Sequence, residues 1–141
     1  MGKLIAAVLT GVFLSWGIVM NTNAEAAERG HFAMGNISAD PLDATDEEMF
    51  EDILVMAPGE VAVERIFSEG QASPDGFWYD QSWDEWVMIM TGGAVLELKD
   101  PEKEVKMGPG DWVYLPANCV HRVKSTEKKT LWLAIHVGER E

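Results

Sequence analysis

This sequence is poor in cysteine, in histidine and, beside its acids, in basic residues. A single cysteine, Cys119, stands among 141 residues, which excludes an intrachain disulfide framework and any CxxC metal site. Lys and Arg number 11 against 24 Asp and Glu, for a formal charge of -13. Binding to phosphate backbones rests on clustered cations and counterion release, so nucleic acid is excluded as a partner. Docking on anionic lipid headgroups is excluded for the same reason. The length is too small for two domains. What is present is apolar: 47% of the residues are hydrophobic and Trp occurs six times, enough for a packed core and against intrinsic disorder. The balance describes a small acidic module that handles a small molecule.

The N-terminus reads as an address. Lys3 supplies a positive charge, Leu4 to Met20 is almost wholly apolar, and Ala24-Glu25-Ala26 is a small-x-small cleavage pattern. This is the layout of a secretory signal peptide over residues 1–26, with cleavage after Ala26 and a secreted or periplasmic destination. An uncleaved anchor is the alternative, but the run is short for crossing hydrocarbon, and no stable membrane span is expected after cleavage. Loss of Lys3 and Glu25 leaves the net charge unchanged. In an oxidising compartment Cys119 stays free, pairs between chains or is buried.

Residues 27–56 read as an arm and a short helix. Asp40 to Asp52 carries seven acids and no base. Thr45-Asp46-Glu47-Glu48 is a capping-box pattern, and Met49, Phe50, Ile53 and Leu54 follow at helical spacing, so a helix is expected over about 46–54. The acids read as a solvated helix face, with a cation-binding patch as the alternative. Over 57–141 the chain becomes a series of short strands split by turn residues. The expected strands are Val61–Phe67, Phe77–Gln81, Glu85–Met90, Ala94–Leu98, Glu104–Met107, Asp111–Leu115, His121–Lys124 and Leu131–Val137. Eight such strands indicate an all-β barrel or sandwich.

Two segments carry a family resemblance. Gly110, five residues, Pro116-Ala117-Asn118, two residues and His121 resemble the second motif of the cupin superfamily. Asn118 stands where that family usually has Gly, a mild change because Asn tolerates the left-handed conformation. Glu85 and Gly92 have the Glu-x6-Gly spacing of the first cupin motif. Tyr79 and Gln81 occupy its two histidine positions with the three-residue gap, or Trp78 and Asp80 with the four-residue gap. The stretch Trp78-Tyr79-Asp80-Gln81 with Glu85-Trp86 is similar to a subgroup of small single-domain cupins. The resemblance covers roughly residues 61–137 and implies an all-β double-stranded β-helix, the cupin jelly roll, with the short N-terminal helix added to it. Activity is not implied, because this scaffold hosts enzymes and pure binders alike.

Carried over by position, the cupin metal set becomes Gln81, Glu85 and His121, with Tyr79 or Asp80 as a further donor. Such a set would take a divalent ion such as Mn, Fe, Ni or Zn. The competing reading is a metal-free pocket in which Gln81 and His121 bond to each other and to Glu85. In a metal-dependent enzyme Tyr79 would be a ligand or proton donor, and His136, in phase with Trp132 and Ala134, a general base or a hydrogen-bonded rim residue. In a binding or sensing module Tyr79, Gln81, His121 and the tryptophans would read the ligand. A third reading has the acidic helix or Cys119 dock a partner. Trp78, Trp83, Trp86 and Trp112 line the pocket or fill the core. Arg65 and Arg122 clamp an anion or pair with surface carboxylates. His31 reads as a bystander, and sheet edges permit a homodimer.

Overall fold

A computed structural model of the chain describes residues 19–20, 32, 34, 36–40, 47–56 and 60–139. Among the described residues nine strands follow in order: β1 (Val19–Met20), β2 (Met49–Met56), β3 (Val61–Ser68), β4 (Asp84–Thr91), β5 (Ala94–Lys99), β6 (Glu102–Met107), β7 (Trp112–Leu115), β8 (His121–Thr126) and β9 (Thr130–Val137). One sheet has the order β1-β2-β3-β9-β4-β7 and the other β6-β5-β8. All pairings are antiparallel except that of β1 with β2, where Val19 meets Glu51 and Met20 meets Asp52. Among the described residues there is no helix.

Period-two burial explains why these segments are strands and which side faces in. In β4, Glu85, Val87 and Ile89 are buried while Trp86, Met88 and Met90 are only half-buried. In β9 the inward set is Thr130, Trp132, Ala134 and His136. The two sheets close over one apolar core, built from Ile66, Val87, Ile89, Leu96, Met107, Leu115, Val123, Trp132 and their neighbours. The turn from β4 to β5 requires glycine at Gly92. Its φ is 81°, and a Cβ there would lie 2.7 Å from the Thr130 Cα.

Seven of the eight expected strands occur within two residues of their expected ends. The exception is Phe77–Gln81, where Tyr79 alone forms a bridge, to His121. The backbone is committed elsewhere around it: the Gln81 carbonyl accepts a bond from the Asn118 N–H at 2.6 Å.

The expected helix over 46–54 is corrected. Thr45 and Asp46 lie outside the described residues, but Met49–Met56 is a strand on the free edge of β3. The pairing shifts between Asp52 and Leu54. This bulge breaks strict alternation, so the apolar residues fall at spacings that resemble a helical face. An open sheet edge offers a full ladder of hydrogen bonds, and that tertiary gain overrides the local capping pattern.

Candidate functional site

The proline corner between β7 and β8 is stapled to the loop before β4. Ala117 donates its N–H to Asp84 Oδ1 at 2.8 Å, and Asn118 donates its amide Nδ2 to Asp80 Oδ1 at 3.0 Å. Asn118 has a φ of 63°, the left-handed conformation expected for this corner. These bonds bring His121, at the start of β8, beside Tyr79 and Gln81. Tyr79 and His121 exchange backbone hydrogen bonds of 2.7 and 3.1 Å. Their rings stack with centroids 5.2 Å apart, and Phe77 meets the Tyr79 ring edge-on. Gln81 donates Nε2 to Glu85 Oε2 at 2.9 Å. Tyr79, Gln81, Glu85 and His121 are all buried, whereas Asp80 is exposed and Trp78 half-buried.

Two histidines are held in opposite tautomers. His121 Nδ1 lies 2.7 Å from the Cys119 carbonyl. A carbonyl only accepts, so Nδ1 carries the proton and Nε2 is the acceptor of the neutral ring. The Trp83 indole N–H donates to His136 Nδ1 at 2.9 Å. Indole is only a donor, so the proton of His136 sits on Nε2, which faces Glu64 Oε1 at 3.4 Å. With Nδ1 engaged and Nε2 protonated, His136 is placed as a hydrogen-bond donor to Glu64. A general-base role would first need the Trp83 bond broken. His136 pairs in register with Glu85 on β4 and with Ala62 on β3, so Glu64, Glu85 and His136 share one wall.

A further relay crosses the interior. The Trp132 indole donates to Ser68 Oγ at 3.0 Å, and that hydroxyl donates to Glu48 Oε1 at 2.6 Å. Burial pushes the Glu48 carboxyl up to about 7; the Ser68 bond opposes this and the charge of Glu64 adds to it. The other oxygen, Oε2, is buried with no hydrogen-bond partner. The Tyr79 hydroxyl is in the same position: the residue is 3% exposed and the oxygen has no partner. Burial raises the phenol well above its ordinary range, and the charges of Glu48, Glu85 and Glu64 raise it further.

Gln81, Glu85 and His121 do not fit a transition-metal centre. They supply one imidazole, and the Glu85 carboxylate is already bonded to the Gln81 amide. Among the described residues no group of three or more His, Cys, Asp or Glu side chains is placed to hold an ion.

Other expected residues lie outside the site. Arg65 is buried on the outer face, bonded to Glu51 at 2.6–2.7 Å and to the carbonyls of Ile37 and Ala39. Arg122 pairs with Glu97 at 3.0 Å, and it and Lys99 lie over the Trp78 ring outside the barrel. That face borders a cleft of about 690 Å³ between Trp78 and the β5–β6 hairpin. Trp86 and Trp112 meet on the outer surface, so among the four tryptophans weighed for the pocket only Trp83 reaches an interior polar group. Cys119 is half-buried against the core and burial raises its thiol. His31 lies outside the described residues.

Glu48, Glu64 and Ser68 were not legible as interior groups from motif spacing. For Glu64 a signal existed: it stands in the same period-two phase as Ala62 and Ile66, both core residues.

The profile of the Cupin domain family matches residues 53–136. A protein from Ralstonia eutropha JMP134, assigned provisionally as a mannose-6-phosphate isomerase, is 42% identical with a TM-score of 0.67. The match covers 75% of this chain and 98% of that one. A cupin superfamily protein from Desulfitobacterium hafniense DCB-2 is 17% identical with a TM-score of 0.57, covering 70% and 84% of the two chains. KdgF from a Halomonas species is 17% identical with a TM-score of 0.56, covering 74% and 93%. No curated protein matches the chain.

Proposed function

This chain belongs to the cupin family, and on that premise we propose that its barrel interior binds a small molecule directly, without a metal ion. One observation carries the reading. The Tyr79 hydroxyl is buried and has no partner, next to a hydrogen-bonded Gln81–Glu85 pair and a His121 whose Nε2 is an acceptor. Leaving a buried hydroxyl unsatisfied costs about 1–3 kcal/mol, a cost that a ligand offering a hydrogen-bond partner removes. Gln81 fixes the Glu85 carboxylate, the Cys119 carbonyl fixes the His121 ring, and Trp83 fixes His136. The polar groups are thus oriented before the ligand arrives, which lowers the entropy cost of binding. A sugar is the ligand class suggested by the Ralstonia relative.

Export supplies the setting: the chain loses residues 1–26 and works outside the cytoplasm. Cleavage after Ala26 removes β1 and leaves β2 as the sheet edge. Mass measurement of the N-terminus of the exported protein checks this.

The binding reading is tested by saturation-transfer NMR with a panel of monosaccharides, small organic acids and small organic amines. The expected result is a binder whose affinity falls about tenfold, the equivalent of one hydrogen bond, in Tyr79→Phe. A panel without a binder, or a binder indifferent to Tyr79→Phe, contradicts the reading.

A further inference from the structure

The charge on the inner face carries a selection, which rests on the binding reading above. Glu64 and Glu85 are buried on that face, and Glu48 reaches it through Ser68. Two buried oxygens of this group have no hydrogen-bond partner, Glu48 Oε2 and the Tyr79 hydroxyl, and the charges of Glu48, Glu64 and Glu85 all act on Tyr79. Among the described residues no buried Lys or Arg answers them. Arg65 is the one buried Lys or Arg among the described residues, and it lies on the opposite face of β3, bonded to Glu51. Arg122 is likewise outside, paired with Glu97. His136 adds no charge while its Nδ1 accepts from Trp83. Burying carboxylates without a countercharge is costly, and the elevation of Glu48 is one sign of that cost.

We propose that the space between Glu48, Glu64, Glu85 and Tyr79 receives the ammonium group of a small organic amine and turns away anionic, phosphorylated ligands. An ammonium group brings three donors and no acceptor, the complement of a wall whose unsatisfied atoms include a carboxylate oxygen and a phenol oxygen. It also brings the charge that the carboxylates lack. A bare metal ion is disfavoured because it needs several ligands converging at about 2 Å, and the acidic side chains here do not converge in that way. A phosphate would add negative charge to a site that already holds three carboxyl groups.

The test follows the indole N–H resonances of Trp83 and Trp132, whose partners are His136 and Ser68. The protein is titrated at neutral pH with n-propylammonium, n-propanol and n-propyl phosphate, three probes that differ chiefly in charge. The expected result is a saturable shift with the ammonium, at an apparent Kd about tenfold or more below that of propanol, and no response to the phosphate. Glu64→Gln should erase the preference; Glu85→Gln serves if the first variant does not fold. A larger response to propanol or propyl phosphate, or silence from all three probes, overturns the proposal. A response led by the phosphate would end cation selection while leaving the interior standing as a binding site. Loss of the binding reading itself is judged separately, by the Tyr79→Phe comparison.

Discussion

The strands of this barrel change character along their length. On β4 the inward residues run Glu85, Val87, Ile89; on β8 they run His121, Val123; on β9, read backwards, they run His136, Ala134, Trp132 and, at the far end, Thr130 opposite Ser68. The polar residue stands at the matching end of paired β4 and β9, where Glu85 faces His136 in register. The middle of the interior is an apolar plug, and beside it stand buried groups that hydrogen-bond and titrate. The plug supplies the hydrophobic gain that folds the chain. The polar groups take from that gain, because each buried polar group must be satisfied or costs free energy. A fold that keeps Tyr79 and Glu48 partly unsatisfied spends stability where a ligand would return it, the usual trade at binding sites.

The sharpest way to break this comparison is to cut into the plug. Ile89 is 0% exposed at the centre of the core. Ile89→Ala should cost about 3–4 kcal/mol, read as a lowered midpoint in urea unfolding. A loss under about 1 kcal/mol would mean that the apolar plug is not the packed element described here.

The next effect belongs to the buried polar groups. Glu48 has a folded pKa of about 7 against an ordinary 4.5. A carboxyl raised in this way favours folding fully below its unfolded pKa, and that contribution is lost as the pH rises through 7. The groups facing it are Ser68, Glu64 and Tyr79. The protein should therefore be more stable near pH 5 than near pH 8, by on the order of 2 kcal/mol from this group. Glu48→Gln keeps an acceptor for Ser68 and should flatten that part of the profile. Thermal melts of both proteins across this range check it; parallel profiles would contradict it.

A smaller effect tests the staple that sets the polar groups in place. Asn118 combines a φ of 63° with the bond to Asp80. Asn118→Ala should cost about 1–2 kcal/mol, from left-handed strain and the lost hydrogen bond, and Asn118→Gly less, because glycine carries no such strain. Equal losses in the two variants would show that conformation is not what the position selects. Chemical unfolding of the pair gives the comparison.

The plug was the legible part. Val61, Val63 and Ile66, or Trp112 to Leu115, announce strands through β-branched and aromatic residues, and the turn residues that split the eight expected strands gave the barrel. The corner from Gly110 to His121 was legible too, down to the left-handed Asn118. The buried polar groups were harder for physical reasons. A bulge in β2 mixed the two periodicities, so Phe50 to Leu54 resembled a helix and Glu48 resembled its solvated face. The partners of His136 and Glu48 are Trp83 and Ser68, far away in the chain, and motif spacing carries no record of such distant bonds. Gln81 and Glu85, four residues apart on one segment, were within its reach.

The central claim is that the interior holds an oxygen kept unsatisfied for a ligand, and equilibrium unfolding of Tyr79→Phe without ligand measures this directly. Removing a hydroxyl that has no partner should leave stability unchanged or raise it by up to about 1 kcal/mol. A loss of 1 kcal/mol or more would show that the hydroxyl already supports the fold, and the account of this site would fail.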